Sequence, residues 1–412
     1  MSSIACCARF RRIFVGESGE VLDGVRVQSD LDPQRRFTAV CAGATLSGAV
    51  DSDGGFWIWG DVHKGLFSAI TSTYVRRYTQ PQRIPLEVFG NSRVQQVALG
   101  DMHVLVRAGG RLYTGGFGGD GRLGSGAISF EKQYGPNMLA HVVVADTYVS
   151  DVAAGPFSSC FVSTDGRFFT FGTNYEGECA RGDTDAHWAP APVPGFGAGD
   201  VKAVQASMHL HVAVLDADGF LHTAGHNIAG QLGLGDSETR LLLSRVESGA
   251  MRMVACGLRH TLALDLLGRA WVCGTNDNGA LGAANAASVS VLQRVEHLSD
   301  VVFVAAGVDQ CMAVDSAGAV FAWGLCSAPT SEPLWWPGAV DGPLQDARVY
   351  APQRFVLPAR VGLYNLPLEP LRALALAMGV HTRLGASSPL CVLSADVLRQ
   401  ITEACVVRDP AA

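Results

Sequence analysis

The sequence predicts an all-β fold, a β-propeller of six or seven four-stranded blades with a small α-helical appendage at its C-terminal end. A segment of about fifty residues recurs six times between Cys41 and Gly324, and a period of this length is typical of repeated supersecondary units. Short β-prone runs separated by glycine turns fill each copy. The apolar spacing of 3.6 residues that a helical repeat needs is missing, which favours a radial arrangement of small sheets.

Each copy begins with a small residue that precedes a short apolar strand. These anchors are Gly43, Gly100, Gly155, Ala206, Gly257 and Gly307. In the third and fourth copies, Asp165-Gly166 and Asp218-Gly219 lie between two β-prone runs. An Asp-Gly pair in this setting predicts a tight antiparallel hairpin, because such turns need residues with positive φ.

A second glycine-containing loop follows the hairpin in the third, fourth and fifth copies. A glycine is followed two residues later by asparagine, and three residues after that by another glycine. The three sets are Gly172, Asn174 and Gly177, then Gly225, Asn227 and Gly230, then Gly274, Asn276 and Gly279. Glycine and asparagine tolerate left-handed backbone, so this spacing predicts one folded loop that recurs.

The repeats predict three parts of the chain. Residues 40–365 form the propeller. Residues 1–39 contain the strand-prone run IFVGESGEVLDGVRV, which either helps to complete a further blade or leaves the ring six-bladed. Residues 366–412 predict a helical tail, because Pro370 precedes one amphipathic stretch and Ser394 can cap a second. The run LSADVLRQI resembles the opening helix of an F-box, so an adaptor function of this tail is a lesser alternative.

The composition disfavours several classes of protein. The net charge is −7 with no basic tail, whereas binding to nucleic acid needs clustered Lys and Arg. No apolar run is long enough to span a membrane, and the N-terminus lacks the order of a secretory signal. We therefore expect an intracellular protein, cytoplasmic or nuclear. The 11 cysteines contain no CxxC pair and are expected to be reduced and mostly buried.

The sequence contains no pattern that indicates catalysis or cofactor binding. No HExxH, GxSxG or Walker-type loop occurs. Residues 116–121, GFGGDG, match GxGxxG formally, but they coincide with the recurrent loop and no crossover helix follows. Asp165 and Asp218 are turn residues and do not form a catalytic carboxylate pair. We expect neither enzyme activity nor a cofactor.

Three copies carry a histidine three residues after the anchor, at His103, His209 and His260. The first, third and sixth copies have Leu46, Ser158 and Gln310 at that place. A histidine that recurs at one repeat position predicts a shared structural use, such as a hydrogen bond to a neighbouring loop.

These motifs resemble the repeat of the regulator of chromosome condensation family, which runs G-x-x-H-[ST], then a hairpin, then W-G-x-N-x-x-G-Q-L-G. Residues 257–282 and the run HTAGHNIAGQLGLGD carry the resemblance most clearly, and it covers roughly residues 40–360. It implies a propeller, usually of seven blades, that serves as a non-enzymatic protein-interaction module. The alternative that it implies is guanine-nucleotide exchange, with a small GTPase as the partner. Ultraviolet sensing, as in a plant photoreceptor with this fold, is not expected, since Leu258 replaces the tryptophan of that receptor's G-W-R-H-T repeats.

Two segments break the repeat, residues 64–82 and residues 329–348. Loops inserted into a rigid scaffold often carry binding, and aromatic and Arg side chains are common interface anchors. The candidate partner-binding residues are Tyr74, Arg76, Arg77, Tyr78, Trp335 and Trp336. For the two tryptophans, the alternative is that they cover an apolar edge where the propeller closes.

Overall fold

The β-prone runs form strands throughout the part of the chain that the computed structural model describes. That part comprises residues 5–6, 12–15, 21–23, 26–27, 37–42, 46–61, 77–126, 137–142, 144, 147–206, 211–283, 288–307, 309–316, 320–326 and 347–355. Two short 3-10 helices, Leu86–Phe89 and Gly119–Gly121, are the only helical elements among these residues. The helical tail predicted for residues 366–412 lies outside them.

The strands form seven four-stranded antiparallel sheets, and in each sheet the strand order follows the chain. The first sheet contains β1 (Ala5–Cys6), β2 (Arg12–Val15), β3 (Val21–Asp23) and β4 (Arg26–Val27). The second contains β5 (Phe37–Ala42), β6 (Leu46–Asp51), β7 (Phe56–Asp61) and β8 (Arg77–Ile84). The third contains β9 (Val94–Leu99), β10 (His103–Ala108), β11 (Arg111–Gly116) and β12 (Asn137–Val142).

The remaining four sheets repeat the same pattern. The fourth contains β13 (Val149–Ala154), β14 (Ser158–Ser163), β15 (Phe168–Gly172) and β16 (His187–Pro192). The fifth contains β17 (Val201–Ala206), β18 (His211–Asp216), β19 (Leu221–Gly225) and β20 (Arg240–Arg245). The sixth contains β21 (Met251–Cys256), β22 (His260–Asp265), β23 (Ala270–Gly274) and β24 (Val289–Arg294). The seventh contains β25 (Val301–Ala306), β26 (Gln310–Asp315), β27 (Val320–Cys326) and β28 (Ala347–Phe355).

The six repeats counted in the sequence correspond to the second to seventh sheets, and the fold class predicted from them is confirmed. The N-terminal run adds a sheet of its own, β1–β4, which lies against β5. The first strand of each later sheet packs on the first two strands of the sheet before it. One cluster of buried apolar side chains includes residues of β5–β11 together with residues of β21–β27. The early and late repeats therefore meet, as a propeller requires.

The hairpin glycines also join the second to seventh sheets in succession. At the turn between the second and third strands, a glycine carbonyl accepts a hydrogen bond from the first residue of the following sheet. The donor and acceptor residues are Val94 and Gly54, Val149 and Gly110, Val201 and Gly166, Met251 and Gly219, and Val301 and Gly268, at N–O distances of 2.7 to 3.0 Å. A Cβ at Gly166 would lie 2.6 Å from the backbone nitrogen of Gly199, so a side chain there would separate the two segments.

The opposite ends of the third, fourth and fifth sheets have a second link of this kind. The loop after the third strand reaches the outer strand of the next sheet, where the amides of Gly126, Gly182 and Gly235 donate to the carbonyls of Trp188, Leu241 and Ser290. These bonds measure 2.8, 2.8 and 2.7 Å. They pair part of an outer edge strand that would otherwise expose its backbone groups.

Tryptophan and cysteine side chains belong to the core of the sheets. Trp59 and Trp323 are buried, and the indole nitrogens of Trp57 and Trp271 donate to Asp51 and Asp265 at 2.9 and 3.0 Å. The cysteines of the described residues for which burial is assigned are free and buried; they are Cys41, Cys160, Cys179, Cys256, Cys273 and Cys311. Burial raises the pKa of the Cys273 thiol to about 12, so this thiol is unreactive at neutral pH.

Candidate interaction face

Two loops of every repeat emerge at the same end of its sheet. The residue that opens the second strand pairs with the last glycine of the third strand, as His103 does with Gly116 and His260 with Gly274. The loop before the second strand and the loop after the third strand are therefore neighbours. We call this end of the propeller the loop face and the opposite end, which carries the hairpin turns, the turn face.

Histidines on the second strands connect neighbouring repeats beneath the loop face. His103 Nε2 lies 2.9 Å from Ser159 Oγ of the next repeat, and that hydroxyl donates to the carbonyl of Arg122 at 2.8 Å. Because the hydroxyl hydrogen is used in this way, Ser159 accepts the hydrogen bond from the imidazole. A buried side chain of one repeat is thus held by two groups of the repeat before it.

The same arrangement recurs twice with other side chains. Thr261 Oγ1 lies 3.1 Å from His211 Nε2 and donates to the carbonyl of Gln231 at 2.7 Å. Cys311 Sγ lies 3.2 Å from His260 Nε2 and 3.3 Å from the carbonyl oxygen of Ala280. All three histidines are buried, and each joins two sheets.

The repeat histidine of the fourth copy is His211, so the assignment of His209 and of the anchor Ala206 needs correction. Ala206 ends β17 opposite Val212, as Leu99 ends β9 opposite Val104. Ala206 therefore corresponds to the residue before an anchor, and the loop that follows it is one residue longer than its counterparts. Together these two differences displace the histidine by two positions. His209 itself lies outside the described residues.

The anchor glycines leave room for the histidine rings. A Cβ at Gly257 would overlap Cε1 of His260, and a Cβ at Gly100 would overlap Cε1 of His103. The amide of each glycine donates to the carbonyl of its histidine, at 2.8 and 2.9 Å. The G-x-x-H motif is therefore a tight turn with the imidazole folded over the glycine. Gly155 makes the same turn with Ser158, Gly307 is buried, and Gly43 lies outside the described residues.

The recurrent asparagine organises the loop after the third strand. Asn174 Oδ1 accepts the amide of Cys179 at 2.8 Å, and its Nδ2 donates to the carbonyl of Asp183 at 2.8 Å. Asn227 makes the equivalent bonds to Leu232 and Asp236, and Asn276 to Leu281 and Ala283. These asparagines are buried, so their repetition reflects the scaffold.

The residue after each asparagine has the opposite character. Tyr175 and Ile228 are 61% and 74% exposed, and the side chain of Asp277 is 61% exposed. One position of the loop therefore projects from the loop face in three successive repeats, and it carries a different side chain each time. We call Tyr175, Ile228 and Asp277 the display residues.

The second repeat replaces the asparagine with glycine and holds its loop by Arg122. The guanidinium donates to the carbonyls of Gly119 at 2.9 Å and Pro156 at 3.4 Å. It also lies 5.1 Å from the ring centre of Phe117 and 4.9 Å from that of Phe157. Only 3% of the Arg122 side chain is exposed.

Burial therefore lowers the pKa of Arg122, and the nearby charge of Asp120 opposes this effect. The sequence motifs do not mark Arg122, although the adjoining residues 116–121 match GxGxxG formally. The sequence feature that could have pointed to Arg122 is its position in the recurrent loop, which aligns with Gln231 of the fourth repeat.

A tyrosine links this loop to the next repeat. Tyr175 Oη donates to Asp120 Oδ1 at 3.3 Å, and the charge of Asp120 is the main cause that raises the pKa of Tyr175. Phe157, which packs on Arg122, keeps 37% of its surface exposed. We call the group formed by Asp120, Arg122, Phe157 and Tyr175 the aromatic patch.

Two of the partner-binding residues predicted from the sequence are described, and they lie at the loop-face end of the second sheet, where Gly60 also pairs with Leu46. Arg77 and Tyr78 begin β8, opposite Asp61 and Gly60. Tyr74, Arg76, Trp335 and Trp336 lie outside the described residues.

Within the described part of the chain, no group of three His, Cys, Asp or Glu side chains is placed to hold a metal ion. No helix found there is long and apolar enough to cross a membrane.

Comparison with known protein families identifies the repeat. The family described as the regulator of chromosome condensation (RCC1) repeat matches residues 218–264 and 268–314, and a second model of the same description matches residues 149–178 and 254–280.

Curated relatives match with 28% identity. The ultraviolet-B receptor UVR8 of Arabidopsis thaliana matches over 71% of this chain and 66% of its own length. The E3 ubiquitin-protein ligase HERC2 of Homo sapiens matches over 65% of this chain and 6% of its own length. This chain thus spans less than two thirds of either relative.

Solved structures show the same fold. The crystal structure of Prp20p from Saccharomyces cerevisiae superposes with a TM-score of 0.68 at 19% identity, covering 97% of this chain and 96% of that one. Human WBSCR16 gives a TM-score of 0.67 at 20% identity, covering 82% and 85%. With its recurrent G-x-x-H turns and asparagine loops, the chain is a β-propeller that contains matches to the regulator of chromosome condensation repeat and is similar in fold to these structures.

Proposed function

We propose that this protein is a non-enzymatic protein-interaction module whose partner binds at the loop face. The observation that carries the proposal is the contrast between two sets of positions in one loop. The asparagines bond the backbone of their own loops, whereas the display residues project outward and differ in chemistry. A scaffold that holds variable side chains at regular positions is suited to recognise another macromolecule.

The exposed side chains of this face are of the kinds that anchor protein interfaces. Tyr175, Phe157 and Ile228 expose apolar surface on a rigid backbone, and aromatic residues dominate the binding energy of many interfaces. The two sequence segments that break the repeat remain part of the proposal. Their candidate contacts are Tyr74, Arg76, Arg77, Tyr78, Trp335 and Trp336.

The non-enzymatic part of the proposal is supported by how the polar residues are used. His103, His211 and His260 bond neighbouring sheets below the surface, and Asp165 bonds Ser163 and Arg167 at a hairpin turn. The named ligase HERC2 matches this chain over 6% of its own length, and we do not extend its activity to the chain. We also retain the expectation of an intracellular, cytoplasmic or nuclear location, with no nucleic acid as ligand.

Affinity capture with the full chain tests the proposal. Proteins bound by the wild type should be lost with the double variant Y175A/I228A and kept with L267A, because Leu267 is 70% exposed on the turn face. A partner set that is the same for all three proteins would contradict the loop-face assignment. W335A/W336A tests the segment after β27 in the same way.

The alternative activity has its own measurement. Release of labelled GDP from a panel of small GTPases should stay at the intrinsic rate when the chain is added. Acceleration that is abolished by Y175A/I228A would replace the interaction module with an exchange factor that uses the same face.

A further inference from the structure

We infer that the aromatic patch binds a basic segment of the partner protein, one rich in arginine or lysine. The inference rests on the proposed function and adds the chemistry of the partner. It is carried by exposed aromatic surface that lies among carboxylates, where a cation can meet both.

The loops of the loop face carry more acidic than basic residues. The arginines of the described loops are Arg122, Arg181 and Arg259. The acidic residues of the same loops are Asp101, Asp120, Glu176, Glu178, Asp183, Asp185, Asp236, Glu238, Asp277 and Asp309. The summed field of such a face attracts positively charged partners and speeds their encounter with it.

Two of the three loop arginines lie close to carboxylates and do not reverse this field. Arg122 is buried and lies 3.5 Å from the carboxylate of Asp120, and Arg259 lies 3.3 Å from that of Asp277. An acidic peptide would therefore find paired cations and further carboxylates, so it would bind against like charge. A basic segment would instead be attracted by these carboxylates.

The patch already holds one cation by the same means. The Arg122 guanidinium lies over two phenylalanine rings beside a carboxylate, an arrangement in which ring quadrupoles and an anion both favour positive charge. Arg122 fills the buried side of the patch. The exposed surface of Phe157 and Tyr175 lies on the solvent side.

The electrostatics at Tyr175 agree with the geometry. Its phenol is hydrogen-bonded to Asp120, and the charges of Asp120 and Glu178 both raise its pKa. The phenol thus lies in negative potential. The side chain of Asp120 is 36% exposed, so its carboxylate remains accessible to a cation that stacks on the Tyr175 ring.

A peptide titration tests the inference. Fluorescence anisotropy would follow binding of labelled oligoarginine, oligoglutamate and neutral Gly-Ser peptides of equal length to the full chain. Oligoarginine should bind and the other two should not. Because a cation–π contact at an exposed site contributes about 0.5–1 kcal/mol, Y175A and F157A should each weaken binding by about threefold, and Y175A/F157A by more.

Controls separate this site from general charge attraction. D218N removes a carboxylate from the turn face, and L267A removes apolar surface there; both should bind oligoarginine as the wild type does. Equal losses in D218N and Y175A would mean that net charge alone attracts the peptide and would overturn the inference. So would unchanged binding in Y175A/F157A.

The proposed function can stand when the inference fails. If Y175A/F157A loses captured protein partners but binds oligoarginine normally, the loop face is the interface and its partner is not basic there. If Y175A/F157A changes neither capture nor peptide binding, and Y175A/I228A also leaves capture unchanged, the interface lies elsewhere and both proposals are wrong.

Discussion

Glu178 and Gln231 occupy the same loop position in adjacent repeats and bond the loop in the same way. Glu178 Oε2 accepts the amide of Glu176 at 3.0 Å, and Gln231 Oε1 accepts the amide of Ala229 at 3.0 Å. Gln231 also contacts His226 Nδ1 through its amide nitrogen at 2.8 Å. The third repeat thus has a carboxylic acid at the position where the fourth has a neutral amide. Burial raises the pKa of this Glu178 carboxyl.

Replacing this acid with the neighbour's amide should stabilise the protein. The raised pKa means that folding favours protonated Glu178, so the stability of the wild type falls as the pH rises from the unfolded value of 4.5 through the folded pKa. E178Q should not show this loss and should be more stable at pH 7 by about 1 kcal/mol. Urea unfolding of the wild type and E178Q from pH 4 to pH 8 measures this difference in stability. The control E238Q alters a side chain that is 83% exposed, and a gain of equal size there would contradict the explanation.

The protein should need the space above the anchor glycine for its stability. G257A places a methyl group against the His260 ring, so we expect a loss of about 2 kcal/mol in the free energy of unfolding. G249A is the matched control, because no atom lies within 4 Å of its added carbon. In the double variant G257A/H260A the cost of the alanine should shrink, since the ring is gone. If the losses of the two single variants simply add in the double variant, the overlap with the ring is not the cause of the loss in G257A.

The Thr261 hydroxyl, which links the fourth and fifth repeats, should contribute measurably to the free energy of unfolding. T261V keeps the side-chain shape but leaves His211 Nε2 and the carbonyl of Gln231 without their shared partner. The expected loss is about 2 kcal/mol, because two buried polar groups lose a hydrogen bond. T239V, at an exposed position, should stay within about 0.5 kcal/mol of the wild type in the same denaturation experiment.

Substitution of Arg122 should destabilise the protein far more than substitution of a surface arginine. R122A removes the bonds to Gly119 and Pro156 and the ring contacts, and we expect a loss of about 3 kcal/mol. R122K should recover only part of it, because an ammonium group lacks the planar fork of the guanidinium. R259A, whose ion pair is largely exposed, should cost less than about 1 kcal/mol. Thermal unfolding of the three variants distinguishes them, and similar losses in R122A and R259A would contradict the structural role.

Local patterns predicted much of the scaffold because each motif is a short-range requirement. Gly166 and Gly219 have positive φ at their hairpins, as an Asp-Gly pair indicates. The asparagine loops depend on contacts between residues less than a dozen apart. The fourth histidine position was wrong because a count from Ala206 assumes a constant loop length, whereas strand pairing determines which residue opens β18.

The sequence by itself determined the repeat, the hairpins and the all-β class, since each follows from the conformations that nearby residues can adopt. Only the tertiary structure showed which groups of the next repeat the recurrent histidines bond, that Arg122 holds the loop in which glycine stands in place of the asparagine, and that Phe157 and Tyr175 lie in one patch with Asp120. Those relationships join residues of different repeats. They depend on how the sheets pack side by side, which no spacing along the chain records.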